Sequence, residues 1–281
     1  MAKLGTVWER AAEFAGERVG ALSPIALGAI ALPTLLSTSL PPLVLGAGPG
    51  IRILTMALAV LLSIVSMWGS LAVTAWAIDP ESRAAAVALA RRRLPAVLLV
   101  SIGVGAAAAL LFLPIPILLG VRGYDLTQIF VGATAQGTIA SRPTIDAQTG
   151  GLIGLYLLAL TPLLSAVFVR LTLLGPVVLR EGLLFGAVRR SWVLTRRHGW
   201  RVFGTLLLFF VIAGIAQLAA QTVFGSVFTL LFGAGPAGTL TLAIGLTLLV
   251  QAIVQTLIIV LLAAFQGKLY AALSAEAATA A

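Results

Sequence analysis

Val202-Phe203-Gly204-Thr205-Leu206-Leu207-Leu208-Phe209-Phe210 opens a stretch that runs to Gly267 without one Asp, Glu, Lys, Arg or His. That length is too great for a single helix crossing a bilayer, which needs about 20 apolar residues at 1.5 Å rise each. Gly233-Ala234-Gly235-Pro236-Ala237-Gly238 interrupts it with the glycine and proline pattern of a turn. The stretch therefore reads as two spanning helices, near 202–224 and 240–265, joined by a tight connection.

The same criterion, freedom from charge, finds four more spans upstream. They lie near 21–45, 53–78, 94–119 and 151–169, the last reaching toward 174. The first is punctuated by Pro24, Pro33, Pro41 and Pro42, which remove backbone donors and kink helices. Neighbouring helices can satisfy the freed carbonyls in a membrane. Its apolar run is too long for a signal peptide, and the residues before it include Glu9, Glu13 and Glu17, unlike the basic start of a leader. Composition agrees with a membrane solvent. The chain of 281 residues is 60% hydrophobic and only 10% charged, against about 25% charged in ordinary soluble domains. The expected fold class is all-α: one polytopic helical bundle over 1–281, with about six transmembrane helices and short cytoplasmic amphipathic helices.

Charge distribution sets the expected orientation. Of 18 Lys and Arg, all but Arg52, Arg122 and Arg142 fall in segments 1–20, 79–94, 170–201 and the C-terminal tail. Cytoplasmic loops carry the positive excess, so both termini are expected in the cytoplasm. The net charge of +9 sits in short runs between apolar spans. Its expected counterpart is anionic lipid headgroups, and no nucleic-acid partner is implied.

Three of the basic segments read as amphipathic helices leading into membrane hairpins. In the first, Val7, Ala11, Phe14 and Arg18 recur at helical spacing. The second starts at Asp79-Pro80-Glu81, read as a cap with an early proline, and ends in Arg91-Arg92-Arg93. The third, 181–201, is read as one helix. Arg189 and Arg196, like Arg190 and Arg197, are two turns apart and share a side, with Arg201 extending the stripe. Leu184, Ala187, Val188, Ser191 and Thr195 form the softer face, while Trp192, Trp200 and Phe203 suit the interface. These five arginines are the candidate anionic-lipid contacts, although arginines so placed also serve simply as topology anchors. Val87-Ala88-Leu89-Ala90-Arg91-Arg92 lines up with Trp192-Val193-Leu194-Thr195-Arg196-Arg197. This hints at three pseudo-repeats over 1–78, 79–174 and 175–281.

Residues that could carry chemistry are few. Cysteine is absent, which removes thiolate metal sites and disulfides. The lone histidine, His198, is surrounded by arginines that disfavour both protonation and a bound metal. Asp125 and Asp146, with Tyr124 and Arg142, share the outer loop near 120–150, and an enzyme reading would need these two carboxylates at the spacing of a general acid and base. Ser63, Ser66 and Ser70, like Gly103 and Gly105, are read as helix-packing residues. No Asp, Glu, Lys, Arg or His falls inside a span, which argues against proton-coupled carriers and ion pumps. Gln217 and Gln221 are one turn apart in the fifth span, and Gln251 and Gln255 repeat that spacing in the sixth. Such amides link helices or line a polar solute path.

The run Gly175-Pro176-Val177-Val178-Leu179-Arg180-Glu181-Gly182, then Gly186-Ala187-Val188-Arg189-Arg190-Ser191-Trp192-Val193-Leu194-Thr195 and Trp200-Arg201-Val202-Phe203-Gly204, resembles the membrane domain of bacterial glycerophosphoryl diester phosphodiesterases and of related stand-alone membrane proteins. The match is clearest over 175–225. The resemblance implies a multi-span helical domain in a bacterial inner membrane. It does not imply the phosphodiesterase reaction, which resides in a separate soluble barrel of those enzymes. The expectation is a non-enzymatic protein without metal or cofactor. It would organise the membrane or assist a partner enzyme, and a second copy of the chain is another candidate partner. The alternative expectation is a transporter of a lipid-like or amphipathic solute.

Overall fold

A computed structural model describes residues 4–43, 48–124, 145–196, 198–233 and 241–279. Among them the secondary structure is helical throughout. The elements are α1 (Leu4–Glu17), α2 (Val19–Ile25), a π-helical turn (Ala26–Ala31), α3 (Leu32–Leu43), α4 (Pro49–Ile78), α5 (Arg83–Phe112) and α6 (Pro114–Val121). There follow α7 (Ala147–Leu171), α8 (Leu174–Glu181), α9 (Gly186–Thr195), α10 (Gly199–Ala219), a second π turn (Ala220–Phe224), α11 (Gly225–Phe232) and α12 (Leu242–Thr279). Six helical stretches are long and apolar enough to cross a membrane: Val19–Leu40, Gly50–Ile78, Arg83–Val121, Ala147–Glu181, Gly199–Phe232 and Leu242–Thr279. Their outer faces carry many large apolar side chains, Leu110 at 66% and Leu158 at 70% exposure among them. Water would not tolerate so continuous an apolar surface. The chain is a multi-pass helical membrane protein.

The prolines of the first span act locally. Pro33 has no N–H, and its ring would crowd the carbonyl of Ala29 in a regular helix. The backbone widens into the π turn just before it, where the Leu32 N–H donates to Leu27 O, five residues back. Ala29 and Ile30 of this turn are buried, and the turn packs on α4. At the end of α5, Pro114 starts α6 as its first residue, the position where a missing N–H costs least.

The helices pack most densely at one end. Helices α4 and α12 form the central pair. Gly267 makes their approach feasible, because a Cβ there would lie 2.7 Å from Thr74 O and 2.8 Å from Ala77 Cβ. Around this pair the fully buried side chains Val73, Val177, Val178, Leu179, Phe265 and Leu269 form the core. The expected stripe of α1 is in place: Val7, Ala11 and Phe14 are buried while Glu9, Glu13 and Glu17 face outward. Trp8 packs its ring 5.8 Å from Phe265 and 5.5 Å from Phe209, and Phe14 meets Trp76 edge-on at 5.6 Å. The N-terminal helix and the end of α12 therefore lie together at the densely packed end.

Several boundaries differ from those expected. The segment after residue 79 is not a separate short helix, since α5 runs unbroken from Arg83 through Arg91-Arg92-Arg93 into the apolar span. Its cap is Ser82, whose Oγ accepts the Ala85 N–H at 3.3 Å; Asp79 instead pairs with Arg180 at 3.0 Å. The last helix does not end with the charge-free run, because α12 continues past Lys268 to Thr279. The segment 181–201 is not one helix. It breaks at Gly182, which adopts φ +69°, and again between α9 and α10.

Candidate functional site: the basic end of the bundle

The densely packed end is also the basic end. Arg18, freed from α1, donates to Pro80 O at 2.8 Å. Its guanidinium stands 5.2 Å from the Phe14 ring and 5.4 Å from the Trp76 ring. The Lys268 ammonium approaches Phe14 to 5.1 Å. These cation–π contacts tie α1, α4 and α12 together without a carboxylate. Glu181, at the end of α8, ties that helix to α9 and α12. Its carboxylate accepts from the Tyr270 hydroxyl of α12 at 3.1 Å and from Arg190 Nε of α9 at 3.1 Å. The Arg93 guanidinium covers Gly182, where a Cβ would sit 2.7 Å from Nη1. The left-handed φ favours glycine at this position, and Arg93 Nε is buried with no acceptor among the described residues.

The five arginines expected on one stripe divide. Arg190 turns back to Glu181 and is half-buried. Arg189 and Arg196 are exposed on and just after α9 and make no ion pair among the described residues. Arg201 is exposed on the separate helix α10. Arg197 lies outside the described residues. The soft face of α9 is as expected at Ala187, Ser191 and Thr195, which are buried together with Leu194. Leu184 falls in the connection before α9 and is exposed. Trp192 and Trp200 stand out from the surface at 44% and 85% exposure, and Trp200 stacks on Phe203 at 5.4 Å. His198 Nε2 lies 3.8 Å from Glu276, which gives it a structural partner on α12.

One cation was not singled out in the sequence. Arg170, at the last turn of α7, has its guanidinium 5.0 Å over the Trp192 ring. It also packs beside Gly199, whose ideal Cβ would lie 3.8 Å from Cζ. Its carbonyl accepts the Ser191 hydroxyl, so α7, α9 and the start of α10 converge there. The sequence signal was an arginine closing an apolar run opposite Trp200-Arg201, legible only once the two helix ends are known to meet.

The four glutamines make no side-chain hydrogen bond among the described residues. Gln217 Oε1 is buried without a donor, Gln221 is exposed within the second π turn, and Gln251 and Gln255 are half-buried. Gly103 meets the Phe185 ring rather than another helix backbone, and a Cβ on Gly105 would touch nothing. Ser63 and Ser70 bond to carbonyls of their own helix.

At the opposite end, Asp146 caps α7 and accepts from the Thr149 N–H at 2.9 Å and from the Tyr124 hydroxyl. The Tyr124 bond, then Thr149 and the nearby Arg122, hold its carboxyl well below the usual range. It serves as a clasp at the base of the outer loop. Asp125 and Arg142 lie outside the described residues. No group of three or more metal-ligating side chains occurs among the described residues. No family model, characterised protein or solved structure matches this chain.

Proposed function

We propose that this chain is a non-enzymatic bacterial inner-membrane protein of the kind its sequence resembles, the phosphodiesterase membrane domain. Both termini and the basic end face the cytoplasm. It gathers anionic lipid at that face and thereby organises the membrane around itself or around a partner enzyme. The observation that carries the reading is the separation of charge from its counterions. Arg189, Arg196 and Arg201 are exposed and without carboxylate partners among the described residues, beside the exposed rings of Trp192 and Trp200. Arginines needed only for packing would be paired, as Arg190 is with Glu181. Each free cation near an anionic leaflet contributes about 1 kcal/mol, and the tryptophans favour the headgroup level.

The test is lipid recovery. The full chain is reconstituted in vesicles of mixed phosphatidylglycerol and phosphatidylethanolamine and excised with its lipid shell in polymer discs. The shell should be richer in phosphatidylglycerol than the vesicles, and Arg189→Gln with Arg196→Gln should cut the enrichment. A shell matching bulk composition for the wild-type chain would defeat the proposal.

A further inference from the structure

We propose that two copies of this chain pair within the membrane along the exposed side of α10, where glutamine amides that find no partner inside one chain meet those of the other. The pairing needs only the membrane-spanning fold and stands apart from lipid binding at the basic end.

The amides lie deep in the apolar layer. Gln217 is fifteen residues from Val202 and fifteen from Phe232, and Gln255 is thirteen from Leu242 and twelve from Gly267, with no charge in either stretch. An ideal Cβ on Gly225 would lie 3.6 Å from Thr247 Cγ2, which sets those two positions level where α11 packs on α12. Consecutive spans run in opposite directions. Gln221, four residues before Gly225, is therefore level with Gln251, four after Thr247, and Gln217 is level with Gln255. Each amide offers two N–H donors and an acceptor oxygen, yet the four satisfy neither one another nor any other side chain among the described residues. Gln217 Oε1 is buried without a donor, and Gln221 is exposed. Neither acyl chains nor headgroups supply a partner at this depth, so such groups draw on another helix.

The backbone changes at the same place. The second π turn, Ala220–Phe224, includes Gln221, and no proline lies between Pro176 and Pro236 to cause it. A π turn inside a helix commonly marks a functional site. Leading up to it, Val211, Gly214, Leu218 and Gln221 recur at spacings of three, four and three and are all exposed. That is the stripe by which one helix packs along another. The backbone is open at Gly214, where a Cβ would meet nothing within 4 Å, and small residues, alanine as well as glycine, let membrane helices approach. Symmetry decides the occupant. Both copies cross the membrane in the same orientation, so a two-fold axis along the membrane normal brings Gln221 opposite the Gln221 of the second copy at equal depth. Amide facing amide satisfies a donor and an acceptor on each side, which an apolar helix cannot do.

The chain has no cysteine, so a single introduced thiol reports the contact. Full-length Leu218→Cys, at a position 61% exposed, should form a disulfide-linked dimer when the membranes of expressing cells are oxidised with copper phenanthroline. Leu158→Cys, at a position 70% exposed on α7, should stay monomeric. The equilibrium is read by energy transfer between donor- and acceptor-labelled Ala278→Cys chains as they are diluted with phosphatidylethanolamine and phosphatidylglycerol vesicles. Adding Gln221→Leu should weaken pairing about tenfold, and Gln221→Asn, which keeps the amide, should weaken it less. Gln221 is exposed, so both changes leave the packing within one chain intact. Cross-linking of Leu218→Cys no greater than that of Leu158→Cys would overturn the interface, whether or not energy transfer shows pairing elsewhere. Energy transfer equally strong with Gln221→Leu would overturn the amide contact.

Discussion

At the scale of single residues, the most consequential position is one with no side chain. Gly267 lets α12 approach α4 so closely that a Cβ would press on the carbonyl of Thr74 and the Cβ of Ala77. Neither can move without shifting a helix. Small residues at such crossings are how membrane helices gain packing when no water drives them together. Gly267→Ala should therefore destabilise the protein by about 1–3 kcal/mol, the usual cost of overpacking, seen as a lowered thermal midpoint in detergent. Gly214→Ala is the matched control, since a Cβ there meets nothing within 4 Å. Alanine favours helix over glycine by about 1 kcal/mol, so that variant should hold or gain stability. A loss of similar size in both variants would show that the effect does not arise at the α4–α12 crossing. The same residue-level logic limits what sequence could reveal. Gly267, Gly214 and Gly105 look alike as letters, and only the partner surface separates the one that is needed.

Among the helices and their junctions, the spans were legible because lipid excludes charge, and charge-free windows therefore mark them. The ends were not, because charge reports where the chain leaves lipid and not where hydrogen bonding stops. Helix α5 carries Arg91-Arg92-Arg93 through several turns without a break, and α12 passes Lys268 in the same way. Conversely, the arginine spacing over 181–201 suggested one helix, while Gly182 and the break between α9 and α10 divide it. Arg201 was thereby placed on a separate helix from Arg189. The outer junction of α6 and α7 shows a further device. Asp146 caps α7 and receives Tyr124 from the end of α6, and Arg122 reaches Gln148 at 3.4 Å. Because these bonds hold the Asp146 carboxyl below its ordinary range, their stabilising contribution is present at neutral pH. It is lost only as pH falls below that range and the carboxylate takes up its proton. Hydrogen exchange in detergent should show the Thr149 amide protected at neutral pH, less protected in Asp146→Ala, which removes the acceptor, and progressively less protected in the wild type under acid after correction for intrinsic rates. An unchanged Thr149 amide in Asp146→Ala would mean the cap contributes nothing to the junction.

For the whole molecule, the structure gathers α1, the end of α4, the start of α5, the α8–α10 turns and the end of α12 at one end, linked by Arg18 to Pro80, Asp79 to Arg180 and Glu181 to Tyr270. The sequence partition of arginines matches this gathering, since Arg52 and Arg122 lie away from it on the far ends of α4 and α6. On the reading proposed above, a bundle so polarised would keep its basic end in the cytoplasm during insertion, against anionic lipid. The absence of cysteine makes the orientation directly testable, because any introduced thiol is the only one. Glu81→Cys and Ala278→Cys place it at the basic end, and Ala147→Cys at the opposite end; all three positions are exposed. In intact cells a membrane-impermeant maleimide should label Ala147→Cys and leave the other two unlabelled until the membrane is opened. The reverse pattern would invert the protein and remove the anionic leaflet from Arg189, Arg196 and Arg201. Labelling of Glu81→Cys and Ala278→Cys on different sides would contradict the bundle itself, because α1, α4 and α12 could not then share the packed end that Trp8, Phe14, Trp76 and Phe265 form.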